Sequence, residues 1–505
     1  MEAFQAALPS RRRTFFYILL PFFLFLVFAA LPTWIRGMLY GYHTYDLGIY
    51  AQAMARLSFF DPNPFLTVRQ LHIFSDHFDP VLWTAVPFAR LLPMPFAALL
   101  VELIWITLAG LFPVWLYLRG RVSYSSALLA TVLVFFSAGT LSALGFPVHP
   151  TTWSIFPALL LAYAMHRRRP IMTLLALQLL FACKEEFIFV GVMLCLLQLW
   201  KREWKWAAWA ALVTVVWGVF VFWGRFHYFA PPFENYGAGL LSGVIGDPSG
   251  TLGHAIFGRK ALQHMLVLLV PFAFLAVIAR KNGGKIIWDF AILSIPIFLI
   301  RFLSAKWGNH YLPPLIGFYA ATILFSFPER RWPRWVIVAL CVFLAAVNGE
   351  ALVKWARLDV PFLRGLSVEE KFERKASLDR MRTRIEEGGS GVVVAEANLV
   401  PNLVKREGLA QFRPILGATG DYRPFLVKTN ALGRTWVLQT RAFYRNPITA
   451  YRWVFLEKPP FGDGFDVGHG HVGAMIQALK DVVPEWVVME DRYAILVEGD
   501  FRIAP

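Results

Sequence analysis

Charge is scarce in this chain of 505 residues: Asp, Glu, Lys and Arg together make up only 16% of it, where a soluble globular protein carries about 25%. With 57% hydrophobic and 16% aromatic residues besides, a water-soluble fold is excluded. Cysteine is nearly absent. Cys183, Cys195 and Cys341 each lie inside an apolar run and none follows residue 353, which removes a disulfide framework and a Cys-based zinc site from consideration. A Gly-rich phosphate loop, a nucleophile motif, an internal repeat and a low-complexity tract are all missing too. The formal charge of +16 invites a nucleic-acid reading. Its distribution argues against one: residues 1–353 hold 27 basic and 14 acidic residues, whereas 354–505 hold 22 and 19. The surplus accompanies the apolar runs, and no nucleic-acid partner is expected.

What is abundant is long apolar sequence. A bilayer core of about 30 Å takes about 20 apolar residues as a helix, and runs of that kind fill the first 350 residues. Eleven are recognised, at about 14–34, 96–118, 125–146, 152–166, 171–183, 187–200, 206–226, 261–279, 286–304, 311–328 and 335–353. Three of them (152–166, 171–183 and 187–200) are too short to span unaided, so the count lies between nine and thirteen. The first run has a basic flank like a signal peptide but is long and aromatic, without a small-residue cleavage site, and reads as a retained anchor. Basic residues of short loops stay cytoplasmic. With Arg11, Arg12 and Arg13 inside, every second loop is cytoplasmic, and these segments carry 17 of the 27 basic residues. The N-terminus is therefore expected in the cytoplasm and the tail, 354–505, outside.

The expected architecture is a polytopic α-helical membrane domain, 1–353, with an outer loop at 35–95, and a C-terminal extracytoplasmic α/β domain, 354–505. In the tail, Ser367 and Glu370 form a capping-box pattern for a helix running to about Glu387, stopped by Gly388 and Gly389. Strands are expected at Val392–Ala395, Trp453–Leu456 and, as a hairpin, Trp486–Glu490 with Tyr493–Glu498. The glycine-rich stretch from Gly462 to Gly473 reads as a loop.

On this topology the unusual polar residues gather on the outer side. They are Asp46 in Tyr45-Asp46-Leu47-Gly48, Asp76-His77-Phe78-Asp79-Pro80, His149-Pro150, Lys184-Glu185-Glu186 and His310-Tyr311. Ionisable groups amid apolar segments cost about 2.5 to 3.5 kcal/mol each and usually face a cavity. Lys184 has a plainer reading, pairing with a neighbouring glutamate and snorkelling to the interface, and Asp46 has one as the N-cap of a helix Leu47–Leu57. Asp76, His77 and Asp79 supply metal-type donors at a spacing that fits no strong metal motif; a turn closed by Asp79-Pro80 is the preferred account of them. The residues point to no definite cofactor, and Asp76, His77 and Asp79 remain the weak candidates for a divalent metal. Asp46, His149, Lys184, Glu185 and His310 are expected to line one outward cavity.

Tyr45-Asp46-Leu47-Gly48-Ile49-Tyr50-Ala51-Gln52, the later His77 and Pro80, His149-Pro150, Cys183-Lys184-Glu185-Glu186 and His310-Tyr311 resemble, in order and spacing, the bacterial and archaeal membrane family of domain of unknown function 2079. The resemblance runs from about residue 35 to the C-terminus and includes Val392–Glu407. That family in turn resembles the GT-C superfamily of integral-membrane glycosyltransferases, which take sugars from polyprenyl-phosphate carriers at the outer membrane face. The resemblance implies a GT-C-like fold in a prokaryotic cytoplasmic membrane and a catalytic carboxylate in the first outer loop, a position that Asp46 matches. No adjacent Asp-Asp or Asp-Glu pair stands there.

Such a transferase needs a general base for the acceptor hydroxyl and a cation for the departing lipid phosphate. Asp46 is the candidate base. Lys184 is the candidate cation, with Arg56 or Arg69 as substitutes. Glu185 or Glu186 would orient Lys184 or bind sugar hydroxyls, and His149 and His310 would line the pocket. The expected partners are a lipid-linked sugar donor and membrane lipids. The rival reading, a transporter or flippase for a lipid-linked or small polar solute, needs polar groups near the midplane; Glu102 is the main residue of that kind.

Overall fold

The computed structural model describes residues 18–42, 45–68, 71–228, 245–257, 286–304, 311–326, 332, 334–357, 363–389, 391–396, 398–404, 409–411, 436–437, 450–459, 461, 469–482 and 484–502. The fold is mostly helical, with a sheet in the last quarter of the chain. Among the described residues four helices are long and apolar enough to cross a membrane: Ile18–Met38, Phe96–Leu118, Tyr124–Gly145 and Trp204–Gly224. Shorter apolar helices occupy Pro170–Phe181, Pro313–Phe325 and Arg334–Gly349. The expected run at 261–279 lies outside the described residues.

The chain divides into two compact units. Met1–Leu31, Phe74–Thr84 and Leu100–Val353 form the first. Its helices start and stop where the sequence provides caps. Ser123 accepts from the Ser126 backbone N–H at 3.1 Å and opens one helix; Ser137 accepts from Thr140 N–H at 3.2 Å and restarts it after a break. Close packing depends on a missing side chain at Gly110, where a Cβ would stand 2.2 Å from the Phe135 ring. Burial separates interior from perimeter helices. In Tyr124–Gly145, 78% of the apolar window is buried, against 28% in Trp204–Gly224, whose Trp209, Val215, Val216, Val219, Phe222 and Trp223 face outward. Outward apolar side chains on such a helix are what a lipid-facing surface requires.

Pro32–Ile73, Ala85–Leu99 and Lys354–Pro505 form the second unit. The described strands run in the order Leu409–Gln411, Val393–Ala395, Ala450–Glu457, Ala494–Arg502, Trp436–Val437, with Val487–Glu490 also paired to Ala494–Arg502. Val393–Ala395 is parallel to both its neighbours, and Ala494–Arg502 is antiparallel to both Ala450–Glu457 and Val487–Glu490. Val393, Val394, Trp453, Val454 and Ile495 are fully buried in the sheet. Helix Val368–Glu387 carries both halves of the capping box, Ser367 with Glu370. The end of the glycine-rich stretch differs from its expected form: His469–Val482 is a helix, so residues 469–473 are not loop, while 462–468 lie outside the described residues. Its buried residues are Val472, Ile476 and Leu479, an i, i+4, i+7 stripe whose burial outweighs the intrinsic cost of the glycines.

A buried polar cluster ties the tail to the segment that follows the first apolar helix. Arg374 and Glu457 are wholly buried and form an ion pair, Nε to Oε1 at 2.7 Å. Arg374 donates to the Leu39 carbonyl at 2.6 Å and to the Tyr40 carbonyl at 3.4 Å. Asn398 donates to Glu457 at 2.6 Å. Tyr40 sits at φ +53°, a left-handed conformation that costs a non-glycine residue free energy, and its hydroxyl donates to Asp379 at 2.8 Å. Two side chains from the tail, Arg374 and Asn398, thus hold the carbonyl of one strained position, and Glu457 holds both of them. Five residues on, helix Tyr45–Arg56 lies against the turn Val400–Asn402 so closely that a Cβ on Gly48 would be 2.7 Å from Val400.

Candidate functional site

In the first unit, helix Pro170–Phe181 and helix Ile188–Trp200 are separated by Lys184, Glu185 and Glu186. Three successive ionisable residues are too costly to carry through an apolar helix, and the chain breaks there. Lys184 is extended, at φ −171° and ψ 148°, and Glu185–Phe187 form a short 3-10 turn. The break points each side chain elsewhere. Glu185 Oε1 lies 2.9 Å from His77 Nδ1, and Oε2 accepts from the Phe78 backbone N–H at 3.2 Å. Both Glu185 oxygens are thus engaged by the segment 77–78. Glu186 pairs with Arg301, whose Nε donates to the Tyr311 carbonyl at 3.1 Å.

Lys184 therefore pairs with neither glutamate, contrary to the plainer expectation, because both carboxylates are turned to partners from other segments. Among the described residues it makes no ion pair. Its Nζ stands 5.9 Å from the centroid of the Tyr311 ring, and the Arg301 guanidinium carbon stands 4.9 Å from the same centroid. Two cations thus stand near one aromatic ring, at distances where its quadrupole attracts them. Chemically the cluster offers an amine suited to an anionic ligand, and an imidazole whose Nδ1 is held by a carboxylate. A hydrogen bond of that kind fixes tautomer and ring orientation. Arg301 was not singled out by the sequence reading. Its signal was the one used for Lys184, a charge inside an apolar run, here 286–304.

His77 is engaged by Glu185, and Asp79 is buried at 1% exposure. The side chain of Asp76 lies outside the described residues. Among the described residues no group of three or more His, Cys, Asp and Glu is placed to hold a metal ion. His149 is buried within the first unit: its backbone N–H donates to Glu102 at 2.9 Å, and its ring stacks on Phe146 at 5.2 Å. Glu102 also accepts from the Trp153 indole at 3.2 Å, and the Trp153 and Trp105 rings stack with planes 5° apart. These contacts give His149 a structural task at the start of helix Pro150–Trp153.

In the second unit, Asp46 is half-buried in the first turn of helix Tyr45–Arg56. The helix begins before Leu47, so Asp46 is a helical residue and not the cap. A carboxylate near a helix N-terminus is favoured by the peptide dipoles. Gln52, wholly buried on this helix, donates to Thr67 at 2.9 Å and accepts from Val68 N–H at 3.0 Å, and Arg56 donates to the Phe65 carbonyl at 2.9 Å. Arg69 and His310 lie outside the described residues.

The sequence matches the family described as Predicted membrane protein (DUF2079) over residues 38–415, most of its length, and the chain belongs to that family. No curated protein matches it. Among solved structures it is similar to ArnT from Cupriavidus metallidurans, a crystal structure bound to undecaprenyl phosphate, at 15% identity and a TM-score of 0.48, covering 94% of this chain and 97% of that one. No residue role in this chain follows from that likeness.

Proposed function

We propose that this protein is an integral-membrane glycosyltransferase, of about eleven spanning helices and an extracytoplasmic α/β tail, that moves a sugar from a polyprenyl-phosphate donor to an acceptor at the outer face. The observation that carries the reading is Lys184: an amine at a break between two apolar helices, with both adjacent glutamates committed to His77 and Arg301. A cation so placed suits the phosphate of a lipid carrier, where it offsets the charge that develops on the leaving group. The resemblance of the family to GT-C enzymes supports the same reading. Asp46 is the general base. A carboxylate has an ordinary pKa of about 4, so at neutral pH it is ionised and takes the proton as the acceptor hydroxyl attacks.

Asp46→Asn keeps the size of the side chain and removes its basicity. In proteoliposomes supplied with radiolabelled polyprenyl-phosphate sugars and a lipid acceptor extract, the variant is expected to insert normally and to lose roughly two or more orders of magnitude in transfer. Near-normal transfer by the asparagine variant would leave Asp46 a helix-end carboxylate. One observation favours the transporter reading instead: Glu102, buried at 1% exposure in the apolar helix Phe96–Leu118, is the type of group that couples ions to transport. If Glu102→Gln abolished solute flux while Lys184→Ala left it intact, the transporter reading would replace the enzyme.

A further inference from the structure

After helix Tyr45–Arg56 the second unit makes a tight turn, Ser58–Asp61. Two backbone hydrogen bonds close it, Ser58 N–H to the Asp61 carbonyl and Asp61 N–H to the Ser58 carbonyl, each 3.1 Å, and Asp61 N–H also donates to Ser58 Oγ at 3.0 Å. The two residues at its tip, Phe59 and Phe60, are 93% and 102% exposed. The turn is bonded at both ends, so the geometry presents the rings outward. Leu57, immediately before it, is fully buried. Its carbonyl accepts from Arg90 at 3.0 Å, and the Ala55 carbonyl accepts from the same guanidinium at 3.3 Å.

Arg90 places this tip beside the entry to a spanning helix. The residue after it, Leu91, is 81% exposed, and helix Phe96–Leu118 begins five residues further on. The link is turned rather than extended: Leu92 N–H donates to the Phe88 carbonyl at 2.9 Å and Ala97 N–H to the Pro93 carbonyl at 3.2 Å. Even fully extended, five residues reach no more than about 18 Å. Large exposed apolar side chains on a held turn, with a guanidinium next to them and a membrane-crossing helix about to start, match the chemistry of the lipid headgroup boundary. Phenylalanine partitions favourably into that region, and arginine is attracted to its anionic lipids.

We propose that Phe59 and Phe60, with Leu91, form a membrane-inserting tip that seats this segment in the lipid leaflet from which helix Phe96–Leu118 starts. The rings enter the boundary between headgroups and acyl chains, and Arg90 stays at headgroup level. Because the turn directly follows helix Tyr45–Arg56, insertion also fixes the height of that helix above the acyl chains. The proposal concerns lipid contact alone and holds whichever reaction the protein performs.

The test uses the full-length protein with Cys195→Ser and Cys341→Ser, which removes the two cysteines that are not buried. A nitroxide is placed at F60C or, as a control, at E387C, an exposed position on the tail helix. Both proteins are reconstituted in vesicles of phosphatidylethanolamine and phosphatidylglycerol. Relaxation of each label by oxygen, which concentrates in lipid, is compared with relaxation by a water-soluble nickel chelate. The expected result is an oxygen-to-nickel accessibility ratio several-fold higher at residue 60 than at residue 387. Equal ratios at the two sites overturn the proposal by placing the tip in water. Exclusion of both reagents from residue 60 overturns it as well, because the tip would then be covered by protein, such as a second copy of the chain.

Discussion

The two units contain polar clusters of similar composition and different character. In the second unit Arg374 and Glu457 are sealed at 0% exposure and face each other and the chain's own carbonyls. In the first, His77 and Glu185 keep 25% and 20% of their side-chain surface, and Lys184 lies half-buried near an aromatic ring, its charge felt by Glu185 but held in no ion pair among the described residues. A buried ion pair that also satisfies main-chain groups serves to specify structure. A half-buried amine whose charge is left unpaired by its neighbours is suited to receive something from outside. The difference lies in where the charges are directed, since both clusters pair Glu with a basic residue.

The largest effect that can break this contrast is expected at Arg374. Arg374→Ala leaves Glu457 buried and unpaired, which costs about 3 to 5 kcal/mol, and thermal unfolding in detergent should show a much lower midpoint. A midpoint equal to that of the unaltered protein would show that the sealed cluster contributes no structure. Next comes Lys184→Ala, expected to change stability by no more than about 0.5 kcal/mol and to lower sugar transfer by about a hundredfold or more. Destabilisation on the scale of Arg374→Ala would make Lys184 a structural residue and erase the distinction between the clusters. The smallest effect concerns surface charge in the tail. The Glu490 carboxyl is lowered chiefly by the hydrogen bond from Lys458, with Lys480 adding to it against partial desolvation. A lowered folded pKa means that its stabilisation is present above the unfolded value of about 4.3 and is lost as pH falls through the lowered one. Glu490→Gln should therefore lower stability slightly at neutral pH and leave it nearly unchanged below the lowered pKa, which flattens the acid limb of the stability curve; an unaltered acid limb would show that these contacts are too exposed to matter.

Local features were legible in the sequence. The Ser367 and Glu370 box is four residues long, and the apolar lengths of 96–118 and 125–146 state their own helices. The strand hairpin around Asp491 and Arg492 was likewise readable from two short alternating runs. A misreading arose where composition outvoted period: five glycines from Gly462 to Gly473 suggested a loop, although from His469 the chain is helical and Val472, Ile476 and Leu479 carry a helical stripe. At Asp46 the helix existed as expected but began earlier, moving the residue from cap to first turn. The partners of Glu185 and Glu186 were not legible. His77 and Arg301 are more than 100 residues away from them, and sequence proximity favoured Lys184. Nothing local marks Arg374 as the residue that holds the Leu39 carbonyl, 335 positions distant.

The left-handed Tyr40 has a consequence for biogenesis. Its carbonyl is held by Arg374, which lies 334 residues later in the chain. At a synthesis rate of about 5 to 20 residues per second, Tyr40 waits on the order of 15 to 70 s before the side chain that steadies it has been made. Throughout that interval several apolar helices are already leaving the ribosome, while the segment leading to Asp46 has yet to meet its clamp. Completion of the tail is therefore the event that gives the beginning of the chain its final shape, and a product stopped at residue 353 would keep its apolar helices while leaving residue 40 free to relax out of the strained conformation.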